Sequence, residues 1–129
     1  MKKIWLTLGL TIGALSAVWA QQSKVIVDND KIKITQFTSL PGADVCGKGL
    51  HSHMEHGIIL MTDAKLKVTL ADGTSHNETF DSKKHQLTIE TNSKKQIIPN
   101  DGAFWAKGET HEVMNVNNKP LIYYMIETK

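Results

Sequence analysis

A chain of 129 residues, 40% of them hydrophobic, has the length of one domain and enough apolar material for a single core. All fifteen basic residues are lysine and the formal net charge is only +2, which excludes the basic footprint and guanidinium forks of a nucleic-acid binder. One cysteine, Cys46, excludes an intrachain disulfide, so the core must hold the fold unaided.

Residues 1–20 open with Lys2 and Lys3, continue as an uncharged apolar run from Ile4, and end in the small residues around Ala17, Val18, Trp19 and Ala20. This is the charged, apolar and cleavage pattern of a secretory signal peptide, with cutting expected after Ala20. The apolar run is shorter than the roughly 20 residues that span a bilayer, which argues against a retained anchor. Two of the fifteen lysines fall in this segment. The remaining thirteen face thirteen acidic residues, so the expected mature domain, residues 21–129, is formally neutral. Export would place it in the periplasm, or outside a cell with one membrane, with no further membrane association.

From Lys24 onward the chain is a series of short alternating or β-branched runs closed by turn residues. Lys24–Asp28 stops at Asn29 and Asp30. Lys31–Thr38 alternates Ile32, Ile34 and Gln36 with Lys33, Thr35 and Phe37, and Pro41 and Gly42 end it. Gly57–Met61 and Lys65–Leu70 follow, and Asp72-Gly73 is the strongest hairpin signal in the chain. The returning run is His76–Phe80; Gln86–Thr91, Gln96–Ile98, Ala103–Ala106, Glu109–Val116 and Leu121–Thr128 complete the series. No stretch after the leader shows sustained helical periodicity, so the domain is expected to be all β, a sandwich or a closed barrel.

The densest chemistry lies between Gly49 and Gly57, where His51, His53 and His56 fall within six residues. Side chains at i and i+2 leave the same face of a strand, so His51 and His53 would aim at one point. Neutral imidazole is the commonest ligand for divalent transition metals, and two such rings need partners from neighbouring strands to complete a coordination sphere. His56 heads the next apolar run, and His111 stands in a later one. The competing reading is a solvated loop that happens to be rich in histidine. Cys46 is expected to be a small buried apolar residue, and Glu55 a solvated loop carboxylate. His76 and His85 fall in polar stretches and are left out of the site. Phe104, Trp105, Tyr123 and Tyr124 are expected in the core or barrel wall, and the methionines as packing residues.

Gly47–Gly57 and Gly102–Asn115 resemble the two conserved motifs of the cupins, small β-barrels of jelly-roll type. His51 and His53 stand in the HxH places of the first motif. The position usually held by Glu is taken by His56. Gly108, His111 and Asn115 match the Gly, His and Asn of the second motif, although Ala106 stands where the motif has Pro and Gly102 lies closer to Gly108 than usual. The segment from His76 to Ile98 is longer than compact members need, which suggests an extra hairpin. The resemblance covers nearly all of residues 21–129. It implies a double-stranded β-helix holding one divalent transition-metal ion (Fe, Ni, Zn, Cu or Mn) through His51, His53, His56 and His111, and it suggests a homodimer.

Replacing the carboxylate by imidazole removes a negative charge from the donor set and favours nitrogen-loving metals and anionic ligands. Two functions are then in view: a metal-dependent enzyme acting on a small molecule, dioxygenase- or isomerase-like, and a non-catalytic module in which the ion holds a small ligand or stabilises the barrel. No catalytic residue beyond the metal donors is visible in the sequence.

Overall fold

The computed structural model describes residues 21–129; the expected signal peptide, residues 1–20, lies outside the described residues. Every regular element among them is a strand, and all pairings are antiparallel. The first sheet contains β1 (Gln21–Asp28), β2 (Ile32–Ser39), β4 (His56–Leu60), β9 (Ala103–Ala106) and β11 (Leu121–Thr128), in the order β1-β2-β11-β4-β9. The second contains β3 (His51–His53), β5 (Ala64–Leu70), β6 (Ser75–Asp81), β7 (Gln86–Glu90), β8 (Lys95–Pro99) and β10 (Glu109–Asn115), in the order β3-β10-β5-β6-β7-β8.

The alternation read in the sequence is the alternation of the sheets. On β10, His111, Val113 and Asn115 point inward and their neighbours do not; on β11, Leu121, Tyr123 and Met125 do the same. These residues share one core with Val45, Ile58, Ala64, Val68 and Phe80, contributed by both sheets. The Asp72-Gly73 hairpin is present: Gly73 adopts φ 85°, which glycine allows without a Cβ clash, and Thr69 pairs with Ser75 across the turn. The extra length between His76 and Ile98 becomes β7 and β8, a hairpin that extends the second sheet beyond β6.

One non-strand segment matters for the site. After β2 the chain turns at Pro41 and runs across the end of the core beside β10, with Val45 N–H donating to Val113 O at 2.9 Å and Asn115 N–H to Ala43 O at 2.9 Å. The Val45 carbonyl accepts from the Tyr123 hydroxyl at 2.9 Å and from Gln21 Nε2 at 2.6 Å, and Ser39 Oγ donates to Asp44 O at 2.8 Å. Tyr123 is only 2% exposed, so its hydroxyl needs that partner. Tyr123→Phe keeps the ring and removes the bond; unfolding in urea should show a loss of about 1 kcal/mol. An unchanged midpoint would mean that the bond does not help to hold this segment.

Candidate metal centre

His51 and His53 leave the same face of β3, as their spacing requires, and β10 lies against that strand with His111 directly opposite His51. The rings meet. His51 and His53 have centroids 4.6 Å apart, His51 and His111 5.2 Å, and His53 and His111 5.4 Å. Gly108 makes the approach of β10 feasible, because a Cβ there would stand 2.8 Å from the His53 carbonyl oxygen.

Hydrogen bonds decide which nitrogen each ring presents. His51 Nδ1 lies 2.7 Å from Gly49 O, His56 Nδ1 2.7 Å from Met54 O, and His111 Nδ1 2.8 Å from Glu109 Oε1. Carbonyl and carboxylate oxygens only accept, so each Nδ1 carries a proton and, in the neutral ring, Nε2 is the nitrogen with the bare lone pair. This is how metal-binding histidines are usually prepared, with the outer nitrogen fixed by an acceptor and the inner one free. Glu109, half exposed at the rim, therefore orients His111 without touching the centre itself. Glu109→Ala should weaken ion binding by about 10- to 100-fold in chelator competition while leaving the circular dichroism unchanged. An unaltered affinity would remove Glu109 from the centre.

The inner nitrogens and one sulfur converge. His51 Nε2 lies 2.9 Å from His53 Nε2, and Cys46 Sγ lies 3.2 Å from His51 Nε2 and 3.5 Å from His111 Nε2. One donor atom from each of Cys46, His51, His53 and His111 falls within 4.8 Å of all the others. Two nitrogens bound to one zinc-like ion stand about 3.0 Å apart at right angles and about 3.4 Å at the tetrahedral angle. A sulfur and a nitrogen stand about 3.1 Å and about 3.6 Å apart in the same two cases. These three spacings fall at or within about 0.1 Å of those ranges and the whole group lies within 4.8 Å, so the residues present fit a transition-metal ion.

Three of the four expected histidines are members of that group. His56 is buried and its ring packs on His53 with centroids 5.1 Å apart, but it is not a member. It reaches the cluster from the other sheet, since β3 belongs to the second sheet and β4 to the first. Cys46, expected as a plain buried apolar residue, is instead partly exposed and in contact with two imidazoles.

The electrostatics suit a cation. Burial, with His51, His56 and His111 adding to it, pushes the His53 imidazole down to about 4, so it is neutral and able to ligate at pH 7. Burial, then the Asp44 and Glu109 carboxylates, pushes the Cys46 thiol up to about 12 in the metal-free protein. A bound cation acts in the opposite sense on a thiol.

Behind the cluster is a cavity of about 130 Å³, walled by apolar side chains such as Ile58, Phe80, Leu87 and Phe104. Cys46, His56 and His111 form part of its lining, and so does Glu78, which sequence reasoning missed. The Glu78 carboxylate accepts from His76 Nε2 at 2.9 Å. The i, i+2 spacing of His76 and Glu78 on β6 was the available signal. Of the aromatic residues, Phe104 and Tyr123 line the cavity, whereas the exposed Trp105 donates to Glu55 at 3.3 Å and Tyr124 OH accepts from Gln36 Nε2 at 3.2 Å. Glu55 is exposed, as expected of a loop carboxylate, and His85 pairs with Asp101 away from the cluster.

No protein-family model matches the chain, and no curated protein matches it in sequence. Solved structures do. A cupin domain protein from Bordetella pertussis is similar with a TM-score of 0.59 at 20% identity, over 85% of this chain and 94% of that one. The polyketide cyclase RemF from Streptomyces resistomycificus is similar with a TM-score of 0.52 at 14% identity, over 85% of this chain and 66% of that one. A DMSP lyase structure matches with a TM-score of 0.50 at 10% identity, over 84% of this chain and 47% of that one. At these identities the likeness is one of fold: the chain folds as a cupin, and it carries a His/Cys cluster able to hold a metal ion.

Proposed function

We propose that this protein is a metal-dependent cupin that binds and transforms a small molecule, with one divalent transition-metal ion held by His51, His53 and His111 at the mouth of the apolar cavity. The observation that carries the reading is the convergence of three imidazoles, two of them tautomerically fixed, on a point beside a chamber that one of them, His111, helps to line. A bound ion there would act as a Lewis acid on a substrate oxygen or lower the pKa of a bound water. His56, with Nδ1 committed to Met54 O, lines the same chamber and is available to the substrate's polar end.

The cavity sets the substrate class. About 130 Å³ of mostly apolar space takes a body of a few carbons, oriented by a polar or anionic group at the ion. Glu78 is the carboxylate within the lining that lies outside the donor cluster and its rim, so it is the residue available for proton transfer there. Two structural neighbours, a polyketide cyclase and a DMSP lyase, are enzymes by their names, which supports a catalytic role over a purely structural ion.

The test is ligand exchange at the loaded centre. Azide added to the Co2+-loaded protein should perturb its visible spectrum, as it would at a catalytic ion whose shell keeps an open position or expands to five. A spectrum unmoved at saturating azide would mean a sealed, structural ion and would contradict this reading.

A further inference from the structure

We propose that Cys46 is a ligand of the metal centre, binding as a thiolate beside His51, His53 and His111 and supplying the negative charge that the missing motif carboxylate would otherwise bring. This rests on the proposed metal centre and goes beyond it by assigning the anionic donor. On binding, the Cys46 S–H bond breaks, a sulfur–metal bond forms and the proton leaves to solvent; nothing is oxidised or reduced.

Three observations carry the assignment. First, Sγ stands 3.2 Å and 3.5 Å from two inner nitrogens, the spacing of sulfur and nitrogen around one ion, and it meets their bare lone pairs. Second, the segment that brings it there is fixed. The buried Tyr123 hydroxyl and Gln21 hold the Val45 carbonyl, and main-chain bonds to β10 hold residues 43–45 on the strand that also carries His111. Third, Gly47 is the residue that a side chain would exclude. A Cβ at Gly47 would lie 2.9 Å from the His51 ring, so glycine there lets the Cys46 loop close onto that imidazole.

His56 is the rival for this place: its ring packs on His53, but its donor atoms lie outside the group of mutually close ones, in which Cys46 Sγ stands. The consequence is chemical. Three neutral imidazoles leave a divalent ion with its full charge, whereas adding a thiolate lowers the net charge of the centre by one and selects thiophilic ions, Zn, Cu, Fe or Ni, over Mn.

X-ray absorption at the zinc edge of the Zn2+-loaded protein tests the assignment without reference to activity. The expected result is one sulfur at about 2.3 Å with nitrogens at about 2.0–2.1 Å. Cys46→Ser should erase the sulfur shell and weaken zinc binding by roughly a hundredfold, and His56→Ala should leave the sulfur in place. A wild-type spectrum with only nitrogen and oxygen neighbours overturns the role of Cys46 but leaves the histidine centre standing. Should that spectrum also lose a nitrogen in His56→Ala, His56 is the ligand instead. A dialysed wild-type protein that retains no zinc overturns both readings.

Discussion

A chain carrying His53→Ala will hold its ion about a hundred to a thousand times more weakly than the wild type. Metal binding by a four-ligand site is worth on the order of 10–16 kcal/mol, or about 2.5–4 kcal/mol per ligand, and each 1.4 kcal/mol is a factor of ten. His53 is the residue for which the largest loss is expected, because its ring is the hub: it packs against His51, His56 and His111 alike. Competition with a chromophoric chelator gives the affinity directly. Circular dichroism of the same variant should be unchanged, since His53 sits on the short strand β3 at the sheet edge and outside the core cluster. A variant that binds the ion as tightly as the wild type would show that the imidazoles are incidental.

Asn115→Ala should be the most damaging single change to the fold outside the apolar core. Asn115 is fully buried, and its Nδ2 donates to Ser39 O at 3.0 Å and Lys119 O at 3.1 Å while Oδ1 accepts from Asn117 N–H at 3.0 Å. It therefore ties the end of β10 to the end of β2 and to the turn before β11. Truncation leaves three main-chain groups without these partners, at about 1 kcal/mol or more for each. The expected loss is about 3 kcal/mol, which in a domain of this length lowers Tm by roughly 15 °C. Calorimetry of the two metal-free proteins measures it; a shift of only a degree or two would mean that water replaces the lost bonds.

Much of this was legible in the sequence, for identifiable reasons. Strands facing one core from one side write their burial into the alternation of residues, as β10 and β11 do, and Asp72-Gly73 announces its turn because few other pairs adopt that backbone. The HxH pair at His51 and His53 follows from the two-residue period of a strand, and Asn115 was visible as part of the second motif. Placement that depends on long-range topology was not legible. His56 is three residues from His53 in the chain, yet the two lie in different sheets. Cys46 belongs to no strand, and its approach to His111 depends on a segment docking against β10, with partners 65 to 78 residues away. The Glu78 lining position is in phase with the buried Phe80 two residues on, but a carboxylate in a polar strand reads as solvated, which hides that signal.

The central claim is that imidazoles from β3 and β10 share one ion. Elemental analysis of the purified protein after dialysis, set beside a His51→Ala, His53→Ala, His111→Ala triple variant prepared in parallel, tests it most directly. The prediction is one equivalent of a transition metal per wild-type chain and none in the variant, with both proteins folded. Wild-type protein that emerges metal-free and takes up no added Zn2+, Fe2+, Ni2+ or Cu2+ would contradict it.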